Sequence, residues 1–139
     1  KTDVVQMLNG CIGGLVAITA EPLMPSPLAA ILIGAVGGII VVYGTKLLLS
    51  MKIDDVVGAI PAHLFAGIWG TLAVPITNPD TSFGTQLLGV ISINAFVFIV
   101  AFIVWAIMKN TFGIRLSKEG ELKGTDVTET GVIAYAIRD

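Results

Sequence analysis

The chain has 139 residues, of which 55% are hydrophobic and only 13% are charged, and its formal net charge is -2. Soluble domains have about 45–50% apolar and about 25% charged residues, so the apolar excess indicates a protein whose outer surface faces lipid. The charge leaves no basic excess for a nucleic acid. With one cysteine and one histidine, neither an internal disulfide nor a Cys/His metal cluster is available. We expect no metal ion and no cofactor, and we interpret Cys11 as a small buried hydrophobe.

Four apolar segments follow one another and are predicted to be transmembrane helices, which makes the chain an all-α polytopic membrane protein. They cover residues 4–20, 27–49, 56–76 and 83–108. A spanning helix needs about 20 apolar residues. The last three segments meet this, whereas the first is short and interrupted by Asn9 and glycines. The charged stretch 109–139 is predicted to be a polar tail. Because the chain begins at Lys1 and runs straight into an apolar segment, we expect an upstream part to be missing.

The positive charges support this count of spans. All eight Lys and Arg residues fall on one side of a four-span arrangement: Lys1 before the first span, Lys46 close to the end of the second, Lys52 after it, and the rest after the fourth. The loops after the first and third spans contain none. The positive-inside rule therefore predicts that both ends of the chain and the 50–55 loop are cytoplasmic.

His63, in the third segment, is the only histidine and lies eight residues after Asp55. Eight residues of helix span about 12 Å, and half of a hydrocarbon core is about 15 Å, so His63 is predicted to lie near the bilayer midplane. Ionisable groups at that depth are costly and usually line a path or a cavity. Ala59 lies four residues before His63, and Gly67 and Gly70 lie four and seven residues after it, so these small residues would leave one face open beside the imidazole. The alternative is an ordinary packing histidine.

Pro61 precedes His63 and lacks an N–H group, so the carbonyl of Val57 loses its helical donor and a kink or widened turn is predicted. Asp54 and Asp55 are predicted to cap the start of this helix. Two partners for the imidazole remain open, namely Asn94 of the fourth segment and a group from the missing upstream part.

Small and polar residues predict how the spans pack. Glycines allow membrane helices to approach closely, and they can also leave room for a substrate path. Ser92 and Asn94 are interpreted as interhelical hydrogen-bonding groups. The glycines recur at helical spacing at Gly10, Gly13, Gly14, Gly34, Gly37, Gly38, Gly67 and Gly70.

Three stretches resemble ammonium transporters of the Amt/Mep family. The run DDVVGAIPAHLFAGIWGT (residues 54–71) resembles their tenth helix, and MLNGCIGGLVAITA (residues 7–20) resembles their eighth. The tail is similar to their cytoplasmic C-terminus at Gly113–Leu116, Gly124–Val127 and Ala134-Tyr135. The resemblance implies an eleven-helix fold built from inverted halves, of which this chain would supply helices eight to eleven. It also implies a homotrimer in the inner (plasma) membrane.

The resemblance further implies transport of ammonium, which crosses an apolar pore as ammonia past two hydrogen-bonded histidines. His63 would be the second of these, and its partner would lie on the fifth helix, outside this chain. Asp55 matches the acid at the inner end of the pore helix. A regulatory tail that could dock a PII-type signalling protein is implied at Gly113, Arg115, Gly124, Asp126 and Tyr135.

The chain departs from the family pattern at several positions. Leu64 and Pro61 replace common glycines, Gly58 replaces a common Asp, and Thr130-Gly131-Val132 replaces a His-Gly-Glu run, which weakens the docking expectation. Two alternatives to transport remain open, namely an ammonium sensor on the same fold and a purely structural membrane piece. An enzyme is not expected, because the sequence contains no nucleophile–base pair.

Overall fold

The computed structural model describes residues 3–23 and 25–133, and within these residues the regular structure is entirely helical. This confirms the all-α prediction. The chain divides into two compact units, one up to Asn94 and one from Ala95 onward. The elements are α1 (Val4–Ile18), α2 (Pro27–Ser50), a π-helical turn (Ile60–Phe65) that continues into α3 (Ala66–Thr77), α4 (Phe83–Thr111), α5 (Lys118–Lys123) and a second π-helical turn (Asp126–Thr130).

Three of the described helices are long and apolar enough to cross a membrane. They are Pro27–Ser50, Ile60–Thr77 and Phe83–Thr111, with mean hydropathies of 2.2, 1.3 and 2.8. The helix of the first predicted span, α1, has only 15 residues. At a rise of about 1.5 Å per residue this is shorter than a hydrocarbon core of about 30 Å. The division between membrane part and tail at residue 108 stays a prediction.

The third span begins later than the hydropathy predicted. Residues 56–58 form a turn rather than a helix, closed by a hydrogen bond from the Gly58 N–H to the Asp55 carbonyl at 3.2 Å. Gly58 has φ +73°, which is incompatible with a right-handed helix and suits glycine because it lacks a Cβ. The predicted start at Val56 was therefore wrong by about one turn.

Backbone-to-backbone contact joins α1 and α2. A Cβ atom added at Gly14 would lie 3.2 Å from the Gly34 carbonyl oxygen, and one added at Gly34 would lie 3.3 Å from that of Gly14. Gly38 meets the Gly10 carbonyl in the same way at 3.3 Å, so the two helices run antiparallel. These glycines serve helix–helix contact, the first of the two roles predicted for them.

The helix that carries His63 packs into the groove between α1 and α2. A Cβ atom at Gly44 of α2 would lie 2.9 Å from the Pro61 Cβ atom, so the π-helical turn sits directly against α2. Farther along, the Trp69 indole N–H donates to the Ile33 carbonyl at 3.0 Å. The helix therefore runs antiparallel to α2.

The loops after the first and third spans meet at one end of this unit. The Asn78 side-chain amide donates to the Glu21 carboxylate at 2.9 Å. Both loops were predicted to lie on the same side of the membrane, and this contact supports that arrangement. The side itself stays a prediction.

Many large apolar side chains are exposed, with a long run of them on α4. None of the residues of α4 is buried, and the helix exposes Phe96, Phe98 and Phe102 by about two thirds or more. Such a surface matches a lipid-facing or protein-covered helix. Cys11 is also exposed, so its interpretation as a buried residue was wrong.

Candidate functional site

His63 lies in the π-helical turn Ile60–Phe65, and its side chain is exposed in this chain. Pro61 lies in the first turn of this helix, where its missing N–H group breaks no helical hydrogen bond, and the backbone winds more widely over these six residues. The widened turn predicted from Pro61 is therefore confirmed. π-Helical turns are rare and frequently occur at functional sites.

Asn9 of α1 supplies the donor that Pro61 withholds. Its side-chain amide donates to the carbonyl oxygen of Val57 at 2.8 Å. Asn9 is only 9% exposed and is the one buried polar side chain in the part of the chain that the structure describes. The sequence marked Asn9 as an interruption of an apolar span and did not reveal this role. The sequence contained one indication of this role: the Val57 carbonyl was predicted to lack its usual helical donor, because Pro61 has no N–H group.

Asp55 caps the start of the same helix. One carboxylate oxygen accepts from the Ala59 N–H at 2.9 Å, and the other accepts from the Ile60 N–H at 2.8 Å. The predicted cap is thus confirmed for Asp55. Asp54 is exposed, and both capping bonds go to its neighbour, so the prediction was wrong for Asp54.

A cavity of about 320 Å³ opens beside His63, within the first compact unit. Its size is at the lower end of small-molecule sites, which are about 300–1,000 Å³. Most of its walls are apolar, with a few polar groups between them. It is lined by His63, Leu64, Gly67, Ile68 and Thr71 on one side and by Gln86, Gly89, Val90, Ile93 and Asn94 of α4 on the other.

The structure separates the small residues that were predicted to share an open face with His63. Gly67 lines the cavity as expected. Gly70 instead turns away and packs against the carbonyl group of Ala17, which leaves no room for a Cβ atom. The wider winding of residues 60–65 shifts the helical register, so spacing counted for a regular α-helix fails one turn beyond it.

Asn94 lines the same cavity as His63, but its side-chain N–H group donates to the Val90 carbonyl of its own helix at 2.8 Å. The described residues show only this bond within α4, and an interhelical hydrogen bond of Asn94 stays a prediction. Ser92 is exposed on α4. Among the described residues, the imidazole of His63 has no hydrogen-bond partner, which leaves a partner from elsewhere as the remaining alternative.

The bilayer depth predicted for His63 was counted along eight helical residues from Asp55, and the structure shortens this helical path. The helix begins at Ile60 rather than Val56, so fewer than eight helical residues separate Asp55 from His63. Pro61 packs against Gly44, which lies six residues before the end of α2 at Ser50. Six residues correspond to about 9 Å along that helix. The contact places the π-helical turn between the end of α2 and its middle, and the bilayer depth of His63 stays a prediction.

Two tail glycines predicted to be regulatory occupy turns that favour glycine. Gly113 has φ +76° and ends α4, where its N–H donates to the Met108 carbonyl at 3.1 Å. Gly124 has φ +105° and ends α5, where its N–H donates to the Gly120 carbonyl at 3.0 Å. Both act as helix stops, because a side chain at such φ values is strained.

Arg115 forms an ion pair with Glu121 of α5, in which the guanidinium Nη2 donates to the carboxylate at 3.0 Å. The hydrogen bond from Arg115 and its charge hold the pKa of the Glu121 carboxyl below its ordinary value. Asp126 begins the second π-helical turn. Tyr135 lies outside the described residues, and the regulatory role of this set stays a prediction.

Comparison with known proteins agrees with this architecture. Residues 1–135 match the sequence profile of the Ammonium Transporter Family. The chain is 36% identical to the ammonium transporter Amt2 of Archaeoglobus fulgidus, in an alignment that covers 97% of the chain and 33% of the relative. It is also 36% identical to Amt1 of Haloferax mediterranei (97% and 27% covered) and 30% identical to the ammonium transporter of Bacillus subtilis (97% and 37% covered).

The chain therefore spans about a third of the length of the curated relatives it matches. The match extends through the His63 helix and into the tail, so it confirms the resemblance on which the site residues were chosen. The chain belongs to the ammonium transporter family.

Proposed function

We propose that the chain forms the C-terminal part of a transmembrane transporter of ammonium, and that ammonia passes His63 on its way through an apolar pore. One observation carries this proposal: the chain's only histidine borders a largely apolar cavity between two membrane-length helices. Relatives that match nearly the whole chain are named ammonium transporters.

The chemistry of the cavity suits a small neutral amine. A charged ammonium ion is costly to bring into the apolar interior of a membrane, whereas ammonia is not. Leu64, Ile68, Val90 and Ile93 provide apolar walls. The imidazole of His63 offers one donor and one acceptor, so it can replace part of the water shell that ammonia loses. In this proposal the proton released from ammonium crosses separately.

The exposure of His63 supports a pore that further helices complete. A functional imidazole in a membrane faces a path or a cavity, and the residues described here cover it only in part. We propose that a second histidine from the fifth helix of the whole protein hydrogen-bonds to it. The isolated 139 residues are then expected to be inactive, and an ammonium-dependent current from them alone would refute this.

Assembly and orientation follow from the same proposal. The charge distribution supports an inner-membrane protein with a cytoplasmic C-terminus. The unburied apolar surface of α4 would be covered by lipid or by neighbouring subunits of a homotrimer. The tail from Gly113 onward would then face the cytoplasm, where a PII-type protein could reach it.

The test uses the whole transporter in proteoliposomes. Ammonium-induced current and internal pH are recorded for the wild type, for His63→Ala and for Ser92→Ala. Ser92 is exposed on α4 and does not line the cavity, so its variant serves as the matched control. We expect His63→Ala to lose the current or its selectivity for ammonium over K⁺, and the control to match the wild type.

Other outcomes have defined meanings. A wild type with neither current nor internal alkalinisation would contradict transport and favour the ammonium sensor. A His63→Ala variant that behaves like the wild type would show that His63 only packs.

A further inference from the structure

We propose that Asn9 is a positioning residue for His63, because it stabilises the π-helical turn that aims the imidazole at the cavity. This inference rests on the proposed function, since it assigns Asn9 a role in the same site. Asn9 and His63 belong to different helices, and the bond from Asn9 goes to Val57 rather than to the imidazole.

The first step concerns the backbone. In a regular α-helix the N–H of residue 61 would bond to the Val57 carbonyl, but Pro61 has none. The next N–H, that of Ala62, donates to the Gly58 carbonyl at 3.2 Å and so does not satisfy Val57. The Asn9 amide takes this place at 2.8 Å. Val57 is 66% exposed as a residue, but its carbonyl group meets the buried amide of Asn9, so loss of this donor is expected to destabilise the turn.

The second step concerns the fit around the amide. Gly58, the residue between Val57 and the helix start, has φ +73°, and a Cβ atom built on it would collide with the Asn9 side-chain nitrogen. Glycine at position 58 therefore tolerates the positive φ and leaves room for the Asn9 amide beside the turn.

The third step links the turn to His63. Two anchors hold the start of its helix: the Asp55 carboxylate on the Ala59 and Ile60 N–H groups, and the Asn9 amide on Val57. Without the second anchor, residues 60–65 can rewind toward a regular helix. Rewinding rotates His63 relative to the cavity wall formed by Gly67 and Thr71. A polar side chain within a membrane helix costs free energy. Positioning of His63 accounts for the presence of Asn9 at this place.

The experiment compares four variants of the whole transporter, each at equal amounts of folded, membrane-inserted protein. Asn9→Leu removes the amide but keeps the volume, Asn9→Gln keeps the amide, and Gly58→Ala pushes the amide aside. Gly10→Ala is the control, because its Cβ atom would meet nothing within 4 Å.

Asn9→Leu and Gly58→Ala are expected to lower the maximal ammonium flux by on the order of tenfold to a hundredfold, as misplacement of a reactive group does. The half-saturating ammonium concentration should change little, because recruitment of the ion is not affected. Asn9→Gln should recover part of the flux, and Gly10→Ala should resemble the wild type.

A double-mutant cycle separates positioning from general stability. If Asn9 acts through His63, then Asn9→Leu should have little further effect in a His63→Ala background. An equal loss of flux in both backgrounds, or a normal flux in folded Asn9→Leu, would overturn the inference. If Asn9→Leu does not fold, Gly58→Ala and Asn9→Gln decide: unchanged flux in Gly58→Ala, or no recovery in Asn9→Gln, would overturn it.

These outcomes differ from a failure of the proposed function. A wild type without ammonium flux would contradict the proposed transport function itself. If the wild type is active and its flux depends on His63 but not on Asn9, only the positioning role of Asn9 is contradicted.

Discussion

Gly70 of α3 lies directly against the backbone carbonyl of Ala17 in α1, and no space remains for a Cβ atom between them. The same contact region includes Ala73, which is 1% exposed, and Ala17 itself, which is 2% exposed. The contact between α1 and α3 is therefore made by small residues that let the backbones approach closely. Membrane helices associate in this way, because lipid removes most of the hydrophobic drive between them and packing must replace it.

Gly70→Ala is expected to destabilise the whole transporter by about 1–3 kcal/mol, because an inserted methyl group overpacks a tight contact. The measurement is thermal unfolding of the purified protein in detergent. Gly84→Ala is the matched control, since a Cβ atom there would meet nothing within 4 Å. Equal melting temperatures for the two variants would contradict the close contact of α1 and α3.

Asp55→Ala is expected to cost about 0.5–2 kcal/mol, the usual range for the loss of a helix cap. The Ala59 and Ile60 N–H groups lose their acceptor, and the start of the His63 helix becomes less ordered. Hydrogen exchange of residues 59–62 in the whole protein reports this directly. Asp54→Ala, which removes an exposed neighbour, should leave exchange unchanged, and similar exchange in both variants would refute the cap.

The predicted orientation can be tested with single cysteines in a cysteine-free version of the whole protein. An exposed Cys11 makes its removal necessary. In intact cells a membrane-impermeant maleimide should label cysteines that replace Ser82 or Glu21, and it should reach one at Lys52 only after permeabilisation. Glu21 is included because its bond to Asn78 places both loops at one end. The reverse labelling pattern would invert the topology.

The tail helix α5 is expected to depend on pH through Glu121. The hydrogen bond from Arg115 lowers the pKa of Glu121 from its ordinary value of 4.5, so the ion pair stabilises the folded tail above that pH. The stabilisation is lost as the pH falls through the lowered pKa, and high salt should also weaken it because both groups are exposed. Arg115, whose pKa is raised by the same bond, stays charged throughout.

A spin label at Leu122, which is 90% exposed, can report the order of α5. Its mobility should rise at acid pH in the wild type, whereas Glu121→Gln should be mobile at every pH. Glu119→Gln serves as the control and should keep the pH dependence of the wild type. A wild-type label with no pH dependence would contradict the role of the ion pair.

Hydropathy along the chain was sufficient for the order of the four apolar helices, whereas α5 and the second π-helical turn in the tail were not predicted. Hydropathy is a property of each local segment, so no contact with a distant residue is needed to predict an apolar helix. The helix α2 begins at the predicted residue, Pro27. The start of the third span could not be read in the same way. Val56 and Val57 are apolar, but Gly58 adopts a positive φ and ends the turn that holds them out of the helix.

The sequence by itself predicted a kink or a widened turn near His63, because Pro61 lacks a backbone N–H group wherever it stands. It also determined that Asp55 could cap the helix, since the spacing is local. Only the tertiary structure decided that Asn9, 48 residues from Val57, fills the vacant bond. It likewise decided that Gly70 faces α1 rather than His63. Covalent geometry acts within a few residues, whereas hydrogen-bond partners and helix faces are chosen through space, after the chain has folded.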